Sequence, residues 1–318
     1  MELQQTLHHA MWHDINSAET FPAIRPLLAH YTSISVFEQI MGNDEVWLSN
    51  PLNMNDIEEL RFGMLEGANA FRSSPILKEA CKDSTVHETL LKYFNQLLHE
   101  FDTQYAFNTY VLCLAHHDRK DNDGLLSMWR GYGAGGSGVA IVFDTAKIGV
   151  NDSSPLIISP VTYATTDQRI SWITDKVNVL AQTIRGRELS ENDLAYVAFQ
   201  WIERLKIFSL FTKHVGFHEE KEWRIVYMSE RDPNAALAMM HGYAITPRGA
   251  EPKLKLKIQP LDGLFSPDLS LENIIDRIIL GPTAATALAA SAVKRILQHK
   301  GKHTLATKII PSSIPFRP

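Results

Sequence analysis

Three hydrophobic patterns alternate along this chain: short continuous apolar runs, period-two alternation, and apolar positions at helical spacing. Leu27-Leu28-Ala29-His30-Tyr31, entered through Pro22 and Pro26, reads as the first extended segment. Thr32 or Ser33 then caps a short helix with Val36, Phe37 and Ile40 on its buried side, ending at Gly42-Asn43. Glu45-Val46-Trp47-Leu48-Ser49 predicts a strand stopped by Asn50-Pro51. Asn55 or Asp56 is expected to cap a helix reaching about Phe71, with further helix through residue 104. Tyr105 to Ala115 reads as a buried strand, Ser127 to Tyr132 as a helical turn, and Gly138 to Phe143 as another strand. A strand over 156–163 and helices over 167–185 and 190–212 follow. In Lys221–Met228, Trp223, Ile225 and Tyr227 alternate with Glu222, Arg224 and Val226, and Lys253–Ile258 alternates as cleanly, which predicts one wet face. Ile274–Gly281, a helix over 283–300 and Ala306–Ile310 make a βαβ-like end.

Strands and helices are thus interspersed without a strict βαβ rhythm. The expected fold class is α+β, a mixed or antiparallel sheet with helical insertions at about 57–104 and 167–212. The 318 residues leave room for one large or two medium domains, but no Pro/Gly/Ser-rich linker cuts the chain, so a single domain over 1–318 is expected. With 45% hydrophobic and 21% charged residues, disordered, collagenous and coiled-coil classes are excluded. A net charge of −5, from 31 Lys+Arg against 36 Asp+Glu, offers no global attraction to duplex DNA or anionic lipid. Only Cys81 and Cys113 are present, which fits a reducing compartment and removes thiolate zinc sites. The first residues carry neither a basic nor an apolar leader region, and no apolar run reaches membrane-spanning length. The expectation is a cytoplasmic protein with no membrane partner.

Four segments carry candidate chemistry. His30-Tyr31-Thr32-Ser33 combines a neutral imidazole, able to hydrogen-bond a ligand hydroxyl, with hydroxyls at a helix start suited to a phosphate. Trp47 and Ser49 end a short strand ahead of good capping residues. In Ser127–Gly138, Trp129 and Tyr132 lie three apart and could stack on a planar group; Arg130 could meet a phosphate, and the glycines admit a ligand to the backbone. The loop precedes a strand, unlike a Walker or Rossmann fingerprint. Glu220 and Glu222, two apart at the start of a strand, are expected to share a face, and two like charges side by side call for a cation between them. The pairs His8-His9 and His116-His117 point apart and read as surface histidines, so no metal site is expected.

Together, residues 30–33, the Trp47-Leu48-Ser49-Asn50-Pro51 segment with Asn55, Asp56 and Glu58, the Ser127–Phe143 segment and Lys213–Arg224 resemble a widespread bacterial family of unknown function, DUF2971. Ile278-Ile279-Leu280-Gly281-Pro282 fits the same pattern. More distantly, the order of His30, Trp47-Leu48-Ser49 and Glu222 is similar to that in ADP-ribosyltransferases of the His–Tyr–Glu kind, and Glu220-x-Glu222 to the Glu-x-Glu pair of the arginine-type branch. This resemblance implies an ADP-ribosyltransferase-like fold and NAD as substrate. His30 and Ser49 would hold the ribose, with Tyr31 and Thr32 beside them, and Glu222 would stabilise the transition state. Glu220 would position the acceptor, Arg130 would contact phosphate, and Tyr31, Trp47, Trp129 or Tyr132 would supply stacking. The acceptor would be a protein or nucleic acid, and the implied role is an intracellular toxin or phage-defence effector with an antitoxin or defence-system partner.

Two alternatives stand beside it. Glu219-Glu220-Lys221 contains the Glu-x-Lys pattern of metal-dependent nucleases, with Asp144 available on a neighbouring strand. The Glu-rich strand would otherwise be a solvated edge of a non-catalytic sensor or binding module.

Overall fold

The computed structural model describes residues 2–54, 57–149 and 154–316, so the expected caps Asn55 and Asp56 lie outside the described residues. The chain separates into two compact units. One comprises Met1–Ser17, Asn50–Thr109 and Val161–Gly216; the other comprises Ala18–Ser49, Tyr110–Pro160 and Phe217–Pro318. In chain order the strands are β1 (Leu27–Thr32), β2 (Glu45–Ser49), β3 (Thr109–His117), β4 (Val139–Asp144), β5 (Leu156–Pro160), β6 (Thr162–Ala164), β7 (Thr212–His214), β8 (Glu222–Met228), β9 (His241–Thr246), β10 (Gly249–Lys257), β11 (Ile275–Leu280) and β12 (Ile309–Pro311). The expected α+β class holds, with one large mixed sheet.

That sheet follows the order β12-β11-β4-β1-β3-β2-β10-β9, with β8 joined to β3 and β5 beyond β8. Among the registered pairs of this large sheet only β11 and β12 run parallel, joined through the Ala287–His299 helix as the βαβ-like ending predicts. β3 is where the sheet divides. It pairs with β1 only from Leu27↔His117 to Ala29↔Ala115, and with β2 only at Ser49↔Val111. β3 begins at Thr109, later than its apolar pattern suggests, because Phe101–Tyr105 continues the preceding helix as a π-turn.

Each strand's period of two sorts its side chains onto two faces. Leu28, Val46, Leu48, Leu112, Leu114, Ile141, Trp223, Ile225, Leu254 and Leu256 build the main core on one face. Helix Ile34–Asn43 covers that core with Phe37, Ile40 and Met41, and Ser33 caps the helix by accepting from Val36 N–H. Leu27, Ala29, Tyr31, Ala115, Ala140 and Val142 point to the reverse face, where they pack with Met128 and Trp129 of helix Leu126–Gly131. The glycine loop after that helix has a steric rather than a ligand-binding reason at Gly138. A Cβ there would stand 2.1 Å from the Thr32 carbonyl oxygen, so only glycine lets the chain enter β4 so close to the end of β1.

The helical unit holds Glu2–Trp12, Ile57–Ser73, Pro75–Ala80, Ser84–Glu100, Thr166–Ile184 and Glu191–Phe211, with the short parallel pair β6–β7. Its long helices begin at capping residues readable in sequence, Asp83, Thr165 and Ser190, the last two with full capping boxes. Phe71 packs between Phe94 and Trp201, at centroid distances of 4.5 and 5.9 Å. Asp14 bridges Lys176 at 2.9 Å and Arg204 at 3.0 Å, which sets one carboxylate between two buried cations. Among the described residues no helix is long and apolar enough to cross a membrane.

Candidate active site

Glu222 is the most enclosed of the candidate carboxylates. It opens β8, faces away from the main core, and is 4% exposed. Arg224, two residues on and therefore on the same face, donates from Nε to its Oε1 at 2.7 Å and from Nη2 to its Oε2 at 3.4 Å. The guanidinium holds both carboxylate oxygens and fixes their orientation.

Glu220 does not share that strand face, contrary to the spacing argument. It ends a 3₁₀ turn over Val215–Glu220, and Lys221 then takes a left-handed backbone with φ 46° before β8 begins. The Lys221 carbonyl accepts from the His116 N–H at 2.8 Å, which anchors this corner to β3. Glu220 instead accepts a hydrogen bond from the Tyr132 hydroxyl at 3.2 Å. That joins the turn after helix Leu126–Gly131 to the start of β8.

The aromatic candidates part company. Trp129 is fully buried, meets Tyr31 edge-on at 4.8 Å between centroids, and donates from Nε1 to the Asp123 carbonyl at 2.8 Å. Tyr31 is buried too, and its hydroxyl accepts from Leu125 N–H at 2.8 Å; burial pushes its phenol up to about 12. Both rings are structural, so Trp129 and Tyr132 do not form one stacking wall. Tyr132, 44% exposed, is the aromatic left open beside a carboxylate. Arg130 is exposed, with its guanidinium over the Phe316 ring at 5.3 Å.

His30 and Thr32 lie on the main-core face with Leu28, opposite Ile141 and Val139, whereas Glu222 and Arg224 lie on the reverse face. The structure therefore does not bring His30 to Glu222, although β1 and β8 both flank β3. The imidazole has a local task. The β1–β3 register ends at Ala29↔Ala115, and the ring hydrogen-bonds the Cys113 main chain past that point. Desolvation pushes its pKa down to about 4 against that hydrogen bond. A folded-state pKa below the ordinary histidine value means the unfolded chain binds the proton more readily. Stability contributed by neutral His30 is thus complete above about pH 6.5 and is lost as the pH falls toward 4. Urea melts at stepped pH should show a steeper acid loss for the wild type than for His30→Gln; equal slopes would contradict this.

Trp47 and Ser49 share the reverse face with Glu222, since Val46 and Leu48 face the main core. Trp47 donates from Nε1 to Glu45 at 2.8 Å, and its ring receives the Lys255 ammonium at 4.3 Å. Ser49 Oγ accepts from Lys253 Nζ at 2.8 Å, and Lys253 is held in turn by Glu251 at 3.1 Å. Lys253 and Glu251 were not singled out in the sequence, although their same-face spacing was readable. The strand expected to be wet on one face thus buries Lys253 in an ion pair.

His117, expected at the surface, is 3% exposed, with Nε2 at 2.8 Å from the Asp121 carbonyl oxygen; burial lowers its pKa. No group of three or more His, Cys, Asp or Glu among the described residues is arranged to hold a metal. Asp144 caps the following turn at Ala146 N–H and ends β4, paired with β1 at Leu27↔Asp144, so β1 and β3 lie between it and the Lys221 corner at β8. Three strand spacings of about 4.8 Å each are too many for one metal to bridge.

The arrangement defines an α+β protein whose mixed sheet carries an arginine-held carboxylate on its reverse face, with a second carboxylate and a half-exposed tyrosine joined to each other at the turn before that strand. A model of a protein family of unknown function, DUF2971, matches residues 128–225, and the match supports assigning the chain to that family. It spans both the Tyr132 turn and the Glu220–Arg224 corner. No curated protein and no solved structure matches the chain.

Proposed function

We propose that the chain is an NAD-using, ADP-ribosyltransferase-like enzyme whose site lies at the Tyr132–Glu220–Glu222 corner. The observation that carries the proposal is the hydrogen bond from the half-exposed Tyr132 to Glu220, two residues before the arginine-held Glu222. Cleaving the N-glycosidic bond of NAD develops positive charge on the ribose, and a fixed, ionised carboxylate opposes that charge best. Arg224 pairs with Glu222 and holds it oriented through two hydrogen bonds. The open ring of Tyr132 is suited to stack on the departing nicotinamide or on a base, and Arg130 stands near enough in sequence to meet a phosphate. The bond from ribose C1′ to the nicotinamide nitrogen breaks, with its electron pair leaving on nicotinamide. The ribosyl carbon is then taken by a nucleophile of the acceptor, a protein side chain, a nucleic-acid group or water, which loses its proton. In this reading His30 supports the sheet rather than the ribose, which departs from the pattern the resemblance implies. An enzyme that consumes NAD or modifies macromolecules inside the cell fits a toxin or phage-defence effector kept in check by a partner.

The test is chromatographic detection of nicotinamide from NAD incubated with purified protein, with and without a cell lysate as acceptor source. Wild type should release nicotinamide, and Tyr132→Ala and Glu220→Gln should each slow release by about 10²-fold or more while leaving the melting temperature near that of wild type. No release in either condition, together with no rise in melting temperature on adding NAD, would sink the proposal in favour of a non-catalytic binding module.

A further inference from the structure

The strand at one end of the large sheet, β9, closes the order β12-β11-β4-β1-β3-β2-β10-β9 and, among the described residues, is paired on one side only, to β10. Edge strands of natural proteins are usually guarded by lysines, inward charges, bulges or proline. β9, His241-Gly242-Tyr243-Ala244-Ile245-Thr246, has no Lys, Arg, Asp or Glu, and its pairing with β10 runs without a register shift from Thr246↔Gly249 to His241↔Leu254. It also displays large apolar groups: Tyr243 is 64% exposed, Ile245 75%, and Met239 just before the strand 96%.

The hairpin fixes which main-chain groups are available. Thr246 and Gly249 close a two-residue loop, so the alternation of the antiparallel ladder turns Gly242, Ala244 and Thr246 toward β10. The main-chain groups of Tyr243 and Ile245 then point outward. Both of these residues also carry exposed side chains.

We propose that β9 is a self-association edge, at which two copies of this chain join their β9 strands antiparallel about a two-fold axis through Ala244. A second copy is the occupant that the strand itself specifies. With Ala244 opposite Ala244, Tyr243 of each copy stands opposite Ile245 of the other. Both residues are of the outward-facing kind, so their N–H and C=O groups satisfy each other across the axis. The same register forms an aromatic to β-branched cross-strand pair twice, the combination that stabilises antiparallel pairs. β9 itself brings no Lys, Arg, Asp or Glu to the seam, and the Lys255 ammonium of β10 stands 5.8 Å from the Tyr243 ring, as a cation over an aromatic face. The interface is isologous and closes at two copies. A single strand pair with Met239 at its flank falls in the small class below about 1,200 Å², so the dimer is a weak, concentration-dependent one.

Sedimentation velocity over a dilution series up to about 1 mM should show the mass rising from 35.9 kDa toward twice that value. Ile245→Pro removes an outward N–H while leaving the β10 ladder intact, and Tyr243→Lys places like charges near the axis. Both should stay at 35.9 kDa with unchanged circular dichroism. The register has its own probe. Ala244→Cys sets the new thiol opposite its copy in a non-hydrogen-bonded pair, with Cα atoms about 4.5 Å apart, and mild oxidation should give a disulfide-linked dimer on a non-reducing gel. Cys81 is buried and Cys113 half-buried, so the wild type is the background control. A wild type that stays monomeric throughout, or dimers that persist in both edge variants, would overturn the proposal.

Discussion

Glu222→Gln is expected to remove nicotinamide release and also to lower the unfolding free energy by about 3 kcal/mol. The second effect follows from burial. Glu222 and Arg224 have side chains only 4% and 5% exposed and touch through two hydrogen bonds. Glutamine keeps the shape and one acceptor but deletes the charge that pairs with the buried Arg224 guanidinium. Loss of activity in that variant alone would therefore not distinguish chemistry from folding. The double variant Glu222→Gln, Arg224→Met separates them. Removing both charges and filling the space with an apolar chain is commonly neutral for stability, so the double variant should recover most of the melting temperature lost by the single one. If Glu222 acts on the ribose, the double variant stays inactive despite its recovered fold. Restored turnover would make the pair structural and would remove Glu222 from the proposed mechanism. Calorimetry and nicotinamide release, measured on the same three preparations, give the answer.

Local periodicity carried the elements whose residues all answer to one neighbourhood. β2 falls at Glu45–Ser49 because a short apolar alternation is stopped by Asn50-Pro51, and Ser33 caps its helix because its hydroxyl reaches Val36 N–H without help from distant residues. β8 alternates as read, with Trp223, Ile225 and Tyr227 on the main core and Glu222 and Arg224 behind. β9 was missed: His241–Thr246 has weak strand chemistry of its own and owes its conformation to the hairpin with β10. The candidate site failed at a different level. Sequence order placed His30 with Glu222, but which face a residue occupies is set by cross-strand register, and the register puts them on opposite sides of the sheet. Glu220 and Glu222 were expected on one face because residues two apart in a strand share it, and the left-handed backbone at Lys221 breaks that count. Lys253 meeting Ser49, 204 residues away, has no local signal at all.

The split between the two aromatic residues of the Ser127–Gly138 segment yields the other large effect. Trp129→Ala should cost about 3–5 kcal/mol of stability, while Tyr132→Ala should cost no more than about 0.5 kcal/mol. Trp129 is fully buried and its ring fills the space between Tyr31 and the glycine turn, where a Cβ at Gly133 would stand only 2.5 Å from it. Truncation opens a cavity, removes the edge-on contact to Tyr31, and leaves the Asp123 carbonyl without the indole donor. Tyr132 is 44% exposed, and its hydrogen bond to Glu220 is solvent-accessible, so deleting it opens no cavity. The catalytic proposal reverses the ranking for function. Measured per folded molecule, NAD turnover should fall far more in Tyr132→Ala than in Trp129→Phe, which keeps an aromatic ring in the core and gives up the indole N–H. If Tyr132→Ala turns over NAD as the wild type does, the open ring is not the stacking surface, and the site must be sought among the other reverse-face aromatics, with Trp47 the next in line.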